Sequence, residues 1–245
     1  LPGDNFNTVL YTGDGATTLA VTGVGFQPEF TWIKNRSAND KHVLVDALRG
    51  ATKYLRSDYI SAEVDDSTFV ASLDSDGFTV GNDVVVNTNT ENYVAWNWLS
   101  ATSNAANEDG SVSSVVRANT EAGFSIVSYT GTGSAGASVG HGLSAAPNLI
   151  IVKKLSAEGG WVTWSSSLTG GNEEDRYIYL NLTNAQATST DYWGAGITSS
   201  TFGVWQHGGD NNTTGANFIA YCFHSVEGYS KVGSYTGNGN ANGAF

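Results

Sequence analysis

The sequence predicts an all-β chain: two tandem jelly-roll or lectin-like β-sandwich modules followed by the start of a third repeat. Three observations carry this. First, Val9-Leu10-Tyr11-Thr12-Gly13-Asp14-Gly15 returns as Val127-Ser128-Tyr129-Thr130-Gly131-Thr132-Gly133, and again as Gly233-Ser234-Tyr235-Thr236-Gly237-Asn238-Gly239. Repetition at this spacing marks an array of similar units. Second, the segments between these motifs are short, rich in β-branched and aromatic residues, and bounded by Gly, Asn, Asp or Pro. Third, the 245 residues include 30 Gly, 7 Trp and 11 Tyr but only 14% charged residues, a composition of tight turns and short strands.

The two copies align well beyond their opening motif. Pro28 falls on Pro147 and Lys34 on Lys153, within Phe30-Thr31-Trp32-Ile33 and Leu149-Ile150-Ile151-Val152. His42-Val43-Leu44-Val45 matches Trp161-Val162-Thr163-Trp164, Tyr54-Leu55 matches Tyr179-Leu180, and Phe78-Thr79-Val80 matches Phe202-Gly203-Val204. Residues 93–98 and 218–223 form the last strand of each copy. Alternation with period two places Val94, Trp96 and Trp98 on one face, with Ile219, Tyr221 and Phe223 as their counterparts. This large apolar face is expected to be the core. The other face carries Tyr93, Ala95 and Asn97, matched by Phe218, Ala220 and Cys222. The predicted organisation is module one over residues 1–100, a small polar linker over 101–110, module two over 111–227, and a third repeat beginning at 228–245. An extra strand is expected at 111–118, and the only plausible helical turn at 45–55. The chain has no Met, even at its first position, and reads as a piece of a longer protein.

Charge and cysteine content narrow the function classes. A net charge of −12 disfavours nucleic acid or an anionic membrane as partner. No apolar run approaches a membrane-spanning length of roughly 18 residues. The single cysteine, Cys222, excludes an internal disulfide, and its match to Asn97 marks it as a small buried residue rather than a catalytic thiol. The N-x-S/T triplets at Asn35, Asn181, Asn211 and Asn212 carry no meaning without a secretory context.

Several motifs resemble functional sites. The G-x-G-x-x-G at 131–136 lacks the following helix that pyrophosphate binding requires, so it reads as a hairpin turn with Gly supplying positive φ. Asp74-Ser75-Asp76-Gly77 looks like the start of a calcium loop, but position 85 is Val85 where the EF-hand loop needs a bidentate Glu. Asp74 and Asp76 are therefore the weak calcium candidates, with turn chemistry as the competing role; no other metal or cofactor is expected. The run Glu173-Glu174-Asp175 cannot place all its carboxylates on one face, and His42, His141, His207 and His224 lack metal-ligand spacing. No catalytic residue is assigned. Aromatic residues carry the ligand-binding expectation: Trp161, Trp164, Tyr192, Trp193 and Trp205 could stack on sugar faces, with Trp161 and Trp193 expected to be accessible. The competing role is to fill the core.

Taken together, Y-T-G-[DNT]-G, G-F-Q-P-E-F-T-W-I-K-N-R-S (25–37), R-G-A-T-K-Y-L (49–55), D-S-D-G-F-T-V-G (74–81), Y-V-A-W-N-W (93–98), A-G-F-S-I-V-S-Y-T-G-T-G (122–133) and V-G-H-G-L (139–143) resemble the tandem uncharacterised modules of large structural proteins of tailed phages, many of them marine. Module two departs from the set at T-G-G-N-E-E-D-R-Y-I-Y-L (169–180). The resemblance implies a virion-surface or otherwise extracellular, non-enzymatic tail-fibre or capsid-fibre protein. Such a protein would act as spacer or adhesion element, with self-association, other virion proteins and host-surface carbohydrate as its partners. The alternatives are a carbohydrate-binding module of a bacterial adhesin or filament, and a polysaccharide depolymerase.

Overall fold

The structure, a computed structural model, describes residues 2–205 and 209–240. After a 3-10 turn (Pro2–Asp4), the first half runs through β1 (Phe6–Thr12), β2 (Leu19–Thr22), β3 (Phe30–Asn35), β4 (Val43–Asp46), β5 (Gly50–Leu55), β6 (Val64–Asp65), β7 (Val70–Asp74), β8 (Gly77–Val80), a one-turn helix α1 (Val84–Asn87) and β9 (Asn92–Trp98). The second half contains β10 (Ala105–Asn107), β11 (Ser114–Asn119), β12 (Phe124–Thr130), β13 (Ala137–Gly140), β14 (Leu149–Lys154), β15 (Trp161–Ser165), β16 (Arg176–Tyr179), β17 (Ala187–Thr188), β18 (Thr201–Val204) and β19 (Asn217–Phe223). A second 3-10 turn covers Glu173–Asp175. The chain is all-β, and the named strands pair antiparallel throughout.

Strand order repeats between the halves. The first large sheet is β1-β9-β3-β4-β5-β6, and the second contains β12-β19-β14-β15-β16-β17 in the same order, extended beyond β12 by β11 and β10. Opposite them lie the small sheets β2-β8-β7 and β13-β18. One core, including Val9, Ile33, Val45, Phe78 and Tyr93, fills the space between the first pair of sheets. Another, including Ile150, Trp164, Trp193, Phe202 and Phe218, fills the second.

A third apolar cluster corrects the expected faces of the last strands. Tyr93 and Ala95, like Phe218, Ala220 and Cys222, point into the cores of their own halves. Ile219 and Tyr221 instead join Phe30, Leu44, Leu55, Phe124, Ile126, Ile151 and Trp161, with Trp98 and Phe223 packed alongside. The face read as core is the seam between two large sheets stacked back to back. Both faces of β19 are apolar because both are covered, whereas in β9 only Trp98 of the outer face packs on the seam and Trp96 stays half-buried.

The repeated Y-T-G-x-G motif is a clamp. Between β1 and β2, and between β12 and β13, the chain crosses from a large sheet to a small one, so the motif is an inter-sheet turn and not the expected hairpin. Buried Asn87 accepts from Asp14 N (2.9 Å) and donates to Ala16 O (3.1 Å); buried Asn212 does the same to Thr132 N (2.8 Å) and Ser134 O (2.9 Å). The motif tyrosines complete it, Tyr11 donating to Val86 O and Tyr129 to Asn211 O. A Cβ on Gly13 would lie 2.2 Å from Thr88 O, and one on Gly131 2.3 Å from Thr213 O, so close backbone approach dictates glycine at both.

The third copy has no such setting among the described residues. Residues 231–240 contain no strand, Tyr235 is 76% exposed, and a Cβ on Gly237 would meet nothing within 4 Å.

The helical turn expected at 45–55 is a strand pair, β4 and β5, joined by a turn in which Asp46 Oδ1 accepts from Arg49 N and Gly50 takes φ 112°. The helix lies instead at α1, where Asp83 caps Val85 N. The strand expected at 111–118 is β11, and the segment expected to be linker contributes β10 to the same sheet.

Candidate functional site

The seam concentrates the unusual chemistry of this chain. Alternation along β3 and β4 places Phe30, Trp32, Leu44 and Asp46 on the outer face of the first large sheet, while β14, β15 and β19 present Ile151, Lys153, Trp161 and Tyr221 from the second. The rings of Phe30 and Tyr221 stack with centroids 4.3 Å apart. Burying each large apolar side chain here contributes about 1.5–3 kcal/mol.

A charged cluster pins this apolar surface. Arg49 donates through Nε to Asp46 Oδ2 (2.6 Å) and through Nη1 to Glu63 Oε2 (2.9 Å). It also reaches the carbonyls of Lys53 (3.0 Å) and Leu44 (3.3 Å). Across the seam Tyr221 OH donates to Asp46 Oδ2 at 2.7 Å. Burial alone would lower the Arg49 pKa, but Asp46, Tyr221 and Glu63 more than offset it, so Arg49 stays protonated. Burial raises Tyr221 well above the ordinary phenol range, so it stays neutral and can donate.

Further bonds surround the pin. Trp161 Nε1 donates to the carbonyls of Arg56 (2.9 Å) and Tyr59 (3.0 Å), and Glu63 N and Gly159 N donate across the seam to Leu155 O and Ile60 O, both at 3.0 Å. Arg117 pairs with the fully buried Glu29, whose pKa is raised by burial against the opposing effect of Arg117. Lys153, also fully buried, donates to Lys154 O (2.7 Å) and Ile60 O (3.3 Å); burial pushes its pKa down to about 8.

At the edge of the seam is an apolar cleft of about 280 Å³, lined among others by Trp32, Trp98, Leu149, Trp161 and Phe223, with Lys231 at its rim. Trp32 Nε1 is bonded to His42 Nδ1 (2.7 Å). The cleft suits an apolar or aromatic group; the carboxylates nearest the seam are already paired.

Four of the five aromatics expected to stack on sugars lie inside the protein. Trp161, Trp164, Tyr192 and Trp193 are buried, with at most 1% exposure, because each fills a core or the seam. Trp164 Nε1 donates to Glu173 O (2.9 Å), Trp193 Nε1 to Arg176 O (3.0 Å), and the Tyr192 hydroxyl lies 2.5 Å from that of Tyr179. The expectation that Trp161 and Trp193 are accessible is therefore overturned. Trp205 is half-buried, its ring so close to Gly194 that a Cβ there would lie 2.0 Å from Cε3.

Asp76 does not cap its own turn but holds the turn after β2, accepting from Gly25 N (2.6 Å) and Gly23 N (3.2 Å), while Asp74 accepts from Thr79 Oγ1 (2.7 Å). Among the described residues no three His, Cys, Asp or Glu side chains stand together as a metal site. His207 lies outside the described residues. Asn35, Asn211 and Asn212 of the N-x-S/T triplets are buried structural clamps.

Sequence reasoning missed Asp46, Arg49 and Glu63. Their signal was present: a chain with only 11 Lys and Arg places Asp46 and Arg49 three residues apart in an apolar run. Comparison with known proteins gives one family, described as a domain of unknown function (DUF7483), which matches residues 1–245, and the chain belongs to it. No curated protein and no solved structure matches.

Proposed function

We propose that this member of the DUF7483 family is a non-enzymatic structural protein of a phage virion, of the tail-fibre or capsid-fibre type, serving as a rigid spacer and adhesion element. The observation that supports it most is the seam. Two repeats that could have been joined flexibly are locked by an apolar layer, the Asp46–Arg49–Tyr221 pin and backbone bonds, which suits a part that carries load without moving. The resemblance of the motif set to tailed-phage structural proteins is what supports the location.

Attachment to host-surface carbohydrate is the adhesive part of this reading. A sugar would have to use half-buried Trp205 or the mouth of the cleft at Trp32 and Trp98, since the other candidate aromatics are inside. The adhesin and depolymerase alternatives share these surfaces and differ in location and in product release.

The test is electron microscopy of particles from the phage encoding the chain, with gold-labelled antibody raised against it. Label on fibres or on the capsid surface is expected. Label on bacterial filaments with bare virions overturns the reading.

A further inference from the structure

One row of side chains crosses the outer face of each large sheet in register. In the second half it is Ile126, Tyr221, Ile151 and Thr163, and the seam buries all four. In the first half the same positions hold Thr8, Trp96, Trp32 and Leu44. Leu44 is buried, but both indoles are only half-buried and Thr8 is exposed. The stacking of the halves thus leaves two tryptophans partly in solvent, where the cleft lined by Trp32 opens.

The pair is held in one geometry. The rings of Trp32 and Trp96 stand 6.4 Å apart, centroid to centroid, at 84°, and so form a corner. Trp32 Nε1 donates to His42 Nδ1 at 2.7 Å. An indole nitrogen only donates, so His42 Nδ1 carries no proton. Burial lowers the His42 pKa and keeps the ring neutral at pH 7, which puts its proton on Nε2. That N–H has no partner among the described residues. Beside it, Asp58 accepts from His42 N at 3.2 Å and keeps a carboxylate that is 35% exposed.

We propose that this corner binds an uncharged hexopyranose. The C–H face of the sugar stacks on one indole and its edge meets the other, while its hydroxyls find a donor at His42 Nε2 and acceptors at Asp58 and Thr8. A pyranose needs flat apolar area together with donors and acceptors at its rim, and the corner offers both. An anionic glycan is disfavoured by a chain of net charge −12. The assignment rests on the adhesive part of the proposed function and names the residues that would carry it, Trp32, Trp96 and His42.

Saturation-transfer NMR of the full chain with the methyl glycosides of glucose, galactose and mannose tests it, followed by calorimetric titration of those that bind. At least one glycoside is expected to bind, and Trp96→Ala should weaken it at least about tenfold. His42→Ala should weaken it about fivefold by removing the donor. Trp96→Phe, which keeps a ring on the strand, should retain part of the affinity. Cooperative urea unfolding checks that each variant is folded. Binding that survives Trp96→Ala overturns this site, and its loss in Trp205→Ala would move the sugar to Trp205 and leave the adhesive reading standing. No binding of any glycoside overturns the site and the adhesive reading together, while the labelling of particles decides the location independently.

Discussion

The phenol of Tyr221, in the last strand of the second half, donates a 2.7 Å hydrogen bond to Asp46 Oδ2, 175 residues earlier in the first. The same carboxylate oxygen accepts from Arg49 Nε at 2.6 Å, so one atom joins the ion pair to the opposite sheet. Removing either partner has a distinct cost. Tyr221→Phe loses one buried hydrogen bond and should destabilise by about 1–3 kcal/mol. Asp46→Asn leaves a buried guanidinium short of its counter-charge and should cost about 3–5 kcal/mol. Urea unfolding followed by tryptophan fluorescence measures both. A larger loss for Tyr221→Phe would show that the ion pair is not the anchor.

Trp161 tests the seam against the sugar-binding expectation. Trp161→Phe retains an aromatic ring but removes the donor to Arg56 O and Tyr59 O. It should lower stability by about 1–3 kcal/mol. Binding on a glycan array should not change, whereas loss of a sugar signal at unchanged stability would place Trp161 in a ligand site.

The Y-T-G clamp offers an internal control. Asn87→Ala and Asn212→Ala should each cost about 1–3 kcal/mol by leaving turn amides and carbonyls unpaired. Gly131→Ala forces a Cβ to 2.3 Å from Thr213 O and should cost more than about 2 kcal/mol. Gly237→Ala, in the third copy of the motif, should stay within about 0.5 kcal/mol, since nothing lies within 4 Å. Thermal unfolding of the four variants gives the ranking, and a large effect at Gly237 would mean the third copy is docked.

Lys153 predicts a pH dependence. Burial lowers its folded pKa to about 8, while the unfolded chain holds its proton to about 10.4. Between these values the unfolded state binds more protons, so this group makes stability rise with pH. Below pH 8 the full penalty of the buried charge is present, on the order of 3 kcal/mol. Lys153→Met should therefore flatten the increase between pH 8 and pH 10 in urea titrations. An equal slope in both proteins would show that Lys153 is not its source.

Much of the architecture is legible in the residues. Strand-forming segments, the repeat and the equivalence of Asn97 with Cys222 follow from composition and spacing, because β-branched and aromatic residues bounded by turn formers have few other uses. The bonds of Asp76 to Gly23 N and Gly25 N were not legible, since Asp-Gly before a strand points to its own turn and not to one about fifty residues earlier. Trp161 was misread because its counterpart, His42, is polar. That comparison could not show that the second half's tryptophan would lie against the carbonyls of the first.

Local pattern determined that this chain makes antiparallel sheets twice over, because alternation and turn residues act within a few positions of one another. Tertiary structure alone decided which side of each sheet faces its own sandwich and which faces the other half. Period-two alternation separates the two faces of a strand without saying what covers them, and in β19 both are apolar. The Asp46–Arg49–Tyr221 pin and the cleft at Trp32 and Trp98 both depend on that choice, since each exists only where distant segments meet.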